Sequence, residues 1–77
     1  MIFSKTRKNG KYALYTFFGS ERLEMHCDDW RAALAYIQLH HEPLVNVEIY
    51  PEGSDNRTIT NEISGEVIGR IIRRNIK

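Results

Sequence analysis

Residues 29–42, DWRAALAYIQLHHE, write a helix that is apolar on two opposite sides. At about 100° per residue, Trp30, Ala33, Leu34, Ile37 and His41 fall on one stripe, and Ala32, Ala35, Tyr36 and Leu39 on the other. Arg31, Gln38 and Glu42 fill one narrow flank; Asp29 and His40 fill the other. A surface helix needs one apolar stripe, so this one is expected to be covered on both sides. A sheet is the expected cover for one stripe, and the chain's last segment or a partner for the other. Asp28 suits the N-cap position, with Asp29 adding negative charge to the first turn. Pro43 stops the helix, because the residue before a proline is pushed out of helical conformation.

Upstream, Asn9-Gly10 between two strand-like runs is a strong hairpin signal, since both turn positions need φ > 0. Gly19-Ser20 closes a second hairpin, pairing Phe18 with Glu21, Thr16 with Leu23 and Leu14 with Met25. That register places Phe3, Tyr12, Leu14, Phe18, Leu23, Met25 and Cys27 on a core face. The opposite face carries Ile2, Ser4, Thr6, Lys8, Lys11, Ala13, Tyr15, Phe17, Arg22, Glu24 and His26.

Downstream, Leu44 to Tyr50 alternates, with Val45, Val47 and Ile49 on one side, and reads as a fourth strand. Pro51 to Arg57 is a polar turn or loop. For the last segment, Thr60 or Asn61 could cap a helix in which Val67, Ile68, Ile71, Ile72 and Ile76 share a face. Gly65 and Gly69 weaken such a helix by about 1 kcal/mol each relative to alanine, yet would let another helix approach closely. The expected fold is α+β: a three-stranded antiparallel meander, a helix, a fourth strand and a C-terminal amphipathic helix, in the order β-β-β-α-β-α, as one small domain over residues 1–77.

Seventy-seven residues, 42% of them hydrophobic and 27% charged, read as a globular domain with a thin core. No apolar run is long enough to cross a bilayer, and no signal-peptide core precedes the first strand. Cys27 stands alone, which suits a reducing, cytoplasmic setting. The net charge of +1 is unevenly spread. Lys5, Arg7, Lys8 and Lys11 crowd the beginning and Arg70, Arg73, Arg74 and Lys77 the end, with all acids between them. Basic ends suit an acidic partner such as nucleic acid or an acidic protein surface.

Reaction chemistry finds little support. His40 and His41 are neighbours on a helix and point about 100° apart, so they are poorly placed to share a metal ion. His26 and Cys27 are neighbours on a strand and face opposite sides, which prevents a nucleophile–base dyad. Asp28-Asp29 is explained by helix capping. No enzyme, cofactor or metal is expected. The richest surface is the outer sheet face, where Tyr15 and Phe17 are ringed by Lys8, Lys11, Arg22 and His26. Aromatics with basic neighbours serve as anchors in a protein interface. They serve equally to stack bases and hold phosphates; there Lys5, Arg7, Lys8, Lys11, Arg70, Arg73 and Arg74 would be the contacts.

The stretch from Arg7-Lys8-Asn9-Gly10-Lys11-Tyr12 through Gly19-Ser20 to Asp28-Asp29-Trp30 is similar in layout to the amino-terminal arm-binding domains of phage integrases. That resemblance implies a three-stranded sheet laid in a DNA major groove. The helix Asp29 to Glu42 followed by Leu44 to Glu52 resembles small bacteriophage inhibitors, such as anti-CRISPR proteins and inhibitors of host RNA polymerase. It implies a small non-enzymatic protein, monomeric or homodimeric, that binds and inhibits or modulates a larger host or defence protein complex. The alternative is a nucleic-acid-binding domain using the basic hairpin and outer sheet face.

Overall fold

The computed structural model describes residues 10–74. Within them the chain runs β1 (Tyr12–Phe18), β2 (Ser20–Cys27), α1 (Trp30–His40), β3 (Val45–Ile49), β4 (Arg57–Asn61) and β5 (Val67–Arg73). The strands form one antiparallel sheet in the order β2-β1-β5-β4-β3. The helix carries the chain from β2 at one side of the sheet to β3 at the other, across one face. Ala33 and Ile37 are its buried residues, and they pack with Tyr12, Leu14, Met25, Cys27, Ile59, Ile68 and Ile71. The strand expected before Asn9, with Phe3 on its core face, lies outside the described residues.

The helix starts where its capping chemistry dictates, one residue later than expected. Asp29, not Asp28, is the N-cap: its backbone is extended and its carboxylate accepts from the Arg31 amide at 3.0 Å. At the other end the His41 and Glu42 amides both reach the Ile37 carbonyl at 2.9 Å, and Pro43 follows. One of the two expected covers, the chain's last segment, is not there. The stripe of Ala32, Ala35 and Leu39 is exposed, because the segment meant to cover it has gone into the sheet.

Among the described residues there is no C-terminal helix: Val67–Arg73 is β5, the central strand, and Arg57–Asn61 is β4 beside it, while Ile76 lies outside them. Two features of the sequence act against the helix. The run Val67-Ile68-Gly69-Arg70-Ile71-Ile72 is rich in β-branched side chains that lose rotamer freedom in a helix and pack well on a pleated sheet. Asn61 does cap, but it caps a turn. Its side-chain oxygen accepts from the Ile63 and Ser64 amides at 2.8 and 3.0 Å, its carbonyl accepts from Gly65, and Gly65 sits at φ +79°. Side-chain capping of this kind serves turns and helix starts alike. Gly69 then lies directly under the helix. A Cβ there would stand 2.7 Å from Ile37 Cδ1, so this glycine sets how closely α1 approaches the sheet.

The β1–β2 register also departs from expectation. Leu14 pairs with Met25 as anticipated, but a bulge follows, so Tyr15 pairs with Leu23, Thr16 with Arg22 and Phe18 with Ser20, around Gly19 at φ +91°. An extra residue in one strand shifts every later side chain to the other face. Leu23 therefore moves off the core face and, like Phe18, is exposed. Arg22 moves onto the helix side opposite Thr16, and Glu24 turns toward the helix, where its carboxylate meets His41 Nε2 at 3.2 Å.

Candidate functional site: the open sheet face

With α1 on one face, the strand register determines what the other face presents. Tyr15 lies between Leu23 on β2 and Arg70 on β5; Arg70 pairs onward with Thr58, and Thr58 with Glu48. One continuous row, Leu23–Tyr15–Arg70–Thr58–Glu48, thus crosses all five strands. Phe17 lies two residues along from Tyr15 on the same face, opposite Glu21, and the Arg70 guanidinium sits 5.6 Å from its ring centroid. Ala13, beside Tyr15, is flanked by His26 and Ile72. The centre of this face is aromatic and aliphatic with Arg70 among the rings; Tyr15 and Phe17 are half-buried, Ala13 is buried and Arg70 is exposed.

Toward β3 the face hollows into an open groove of about 300 Å³. Glu48, Tyr50, Thr58, Thr60, Val67 and Arg70 line it. Its two ends carry opposite charge, with threonine hydroxyls between them. Such a groove offers donors and acceptors to an extended chain or a loop, and Tyr50 adds an exposed ring at its rim.

The expected site residues divide. Tyr15, Phe17 and His26 share the open face, as the alternation implied. Arg22 does not: the bulge puts it on the helix side. Lys11 is exposed at the start of β1. Lys5, Arg7 and Lys8 lie outside the described residues. Arg70, expected only as a phosphate contact, is at the centre of the aromatic row. Arg73 and Arg74 are engaged within the molecule. Arg73 Nη1 donates to Asp55 Oδ2 at 2.9 Å, and Arg74 Nη1 donates to the Gly10 carbonyl at 2.9 Å. Glu48, Thr58 and Thr60 were missed. Alternation within Arg57–Asn61 would have found the threonines had that segment been read as a strand.

Asp55 organises the helix-side end of the molecule. It accepts from the Tyr12 hydroxyl at 2.6 Å, from Arg57 Nη1 at 3.0 Å and from Arg73, while Arg57 also lies 4.0 Å over the Trp30 ring. The hydrogen bond from Tyr12, then those from Arg57 and Arg73, hold the Asp55 carboxyl below its ordinary range. The same bond, with burial, pushes the Tyr12 phenol up. These groups are matched to one another and tie the β3–β4 loop to β1, β5 and α1. The cluster is structural.

Cys27 is buried on the helix side, and burial pushes its thiol up, away from the thiolate a nucleophile needs. His26 is on the other face. Among the described residues no three of His, Cys, Asp and Glu gather to hold a metal ion, and no helix is long and apolar enough to cross a membrane. Neither family models, curated proteins nor solved structures include a match to this chain.

Proposed function

We propose that this chain is a non-catalytic binding protein that docks the open sheet face, centred on Tyr15, Phe17 and Arg70, onto a larger protein. The observation that carries the reading is the row Leu23–Tyr15–Arg70–Thr58–Glu48, with Phe17 under the Arg70 guanidinium. Aromatic residues and arginine dominate the energetics of protein interfaces, with polar groups at the rim. Charges of both signs on one face, Glu21 opposite Phe17 and Glu48 opposite Thr58 as well as Arg70, suit a protein surface better than a polyphosphate backbone. Engagement of Arg73 and Arg74 inside the molecule further reduces the cations available to phosphates. The arm-binding layout is also weakened, since β1 is joined to β5 and does not belong to a separate three-stranded sheet. A small phage or mobile-element inhibitor of a host or defence complex is the class that this reading favours.

The test is capture of partners from a bacterial lysate by tagged protein, with and without nuclease. Arg70→Glu combined with Tyr15→Ser should abolish capture while leaving the circular dichroism spectrum unchanged. Nuclease-sensitive capture would replace the protein partner by nucleic acid. A folded double variant that still captures the same partner would move the working surface elsewhere.

A further inference from the structure

The sheet has two edges, β2 and β3, and they are guarded unequally. β2 carries the bulge at Glu24 and the charges of Glu21 and Arg22, devices that deter the addition of another strand. β3 pairs with β4 over all five residues without a shift, and Glu48 is its single charge. The Glu62 amide donates to the Leu44 carbonyl at 2.9 Å, and the Tyr50 amide donates to the Asn56 carbonyl at 3.0 Å. These two bonds fix which way each residue of the edge turns its backbone. Leu44, Asn46, Glu48 and Tyr50 turn their polar groups toward β4, so Val45, Val47 and Ile49 turn theirs outward. Outward groups of this kind are a template for one more strand. Pro43 and Pro51 hold the next outward positions on either side, lack an amide hydrogen, and end the template.

We propose that β3 pairs with β3 of a second copy of the chain, antiparallel about a two-fold axis that passes beside Val47 perpendicular to the sheet. The edge is complementary to itself about that axis. Val47 meets Val47 of the second copy and Val45 meets its Ile49, so all three outward residues exchange main-chain bonds. Asn46 stands opposite Glu48 of the second copy, amide against carboxylate, and Leu44 opposite its Tyr50. Leu44, Ile49 and Tyr50 are exposed, and each is met by an apolar side chain. Among the described residues no hydrogen bond or ion pair engages the side chain of Asn46 or Glu48, so both are free to meet across the axis. Pro43 falls opposite Pro51, beyond the ladder at both ends. Moving the axis by one residue spoils the match. About Asn46 it sets Pro43 against Ile49. About Glu48 it sets Pro51 against Val45 and Glu48 against its own copy.

An axis perpendicular to the sheet continues the two open faces into one another on the same side. The contact is a single short strand, smaller than the roughly 1,200–2,000 Å² of a standard interface, so the pair is a weak dimer.

Sedimentation velocity over a concentration series reads the association directly. The wild-type chain should shift from monomer to dimer as concentration rises. Asn46 is exposed, so its variants should keep the wild-type circular dichroism spectrum. Asn46→Lys places two opposite-charge pairs with Glu48 across the axis and should tighten the dimer roughly 2- to 30-fold. Asn46→Asp places two like-charge pairs there and should weaken it to a similar degree. A wild-type chain that stays monomeric throughout overturns the proposal and leaves the edge to a strand of another protein. An association that both variants leave unchanged overturns it too. Register is read by air oxidation of a mixture of Asn46→Cys and Glu48→Cys chains; Cys27 is buried and contributes no bridge. Mixed disulfide dimers should outnumber symmetric ones. Symmetric dimers in equal or greater number would overturn the axis at Val47.

Discussion

Two glycines set the spacing of this fold, and they differ in what a methyl group would meet. At Gly69 an added Cβ stands 2.7 Å from Ile37 Cδ1, the tip of a side chain in the core. At Gly10 it stands 2.6 Å from the Cys27 amide nitrogen, and backbone has nowhere to turn. Gly69→Ala should therefore cost about 1–3 kcal/mol, the usual penalty of overpacking. Ile37→Val in the same chain should recover part of that loss, because it deletes the clashing methyl. Gly10→Ala should be the more damaging, with no such rescue. Urea unfolding of the three variants checks both statements. A Gly69→Ala chain as stable as wild type would mean that α1 floats more freely over β5 than its contacts imply.

At the scale of elements, Asp55 shows how a loop residue joins four of them. A carboxyl whose folded pKa is depressed stabilises the fold fully above its ordinary value of about 4. That stabilisation is lost as pH falls through the depressed value. Tyr12 acts in the opposite sense: its raised pKa contributes below about pH 10 and is lost as pH rises through the folded value. Between these limits the network is insensitive to pH. Asp55→Asn should lower stability at neutral pH and make the acid limb of a melting-temperature profile shallower than that of wild type. An acid limb of unchanged steepness would assign acid unfolding to other carboxylates, such as the Asp29 cap.

Legibility in the sequence also varied element by element. The helix and β3 were readable because a proline, a capping aspartate and strong periodicity bound them locally. The bulge after Leu14 was not, since nothing in Leu23-Glu24-Met25 announces an extra residue; it turns Glu24 toward His41, seventeen residues away in sequence. β5 was misread because an isoleucine run interrupted by glycines satisfies a helical face as well as a central strand. Only the partner strands β1 and β4 decide between them. For the site, two-residue alternation placed Tyr15, Phe17 and His26 together on β1–β2, but Arg70, Thr58 and Glu48 joined them through pairings that no local signal encodes. The strand pairings that were missed are long-range, whereas the cap at Asp29 and the turn at Asn61 are local.

For the whole molecule, the two uncommitted surfaces lie on opposite sides of one thin core. The sheet face points one way and the outer stripe of α1 the other. The sheet face assigned to a foreign partner should not join copies of the chain, and mass action checks this without any partner: a dimer that forms only from folded chains raises melting temperature as protein concentration rises. Arg70→Glu should therefore show the same concentration dependence as the wild-type chain. If instead Arg70→Glu flattens a rise that the wild-type chain shows, the copies meet through their sheet faces. The surface assigned to a foreign partner would then be the dimer interface.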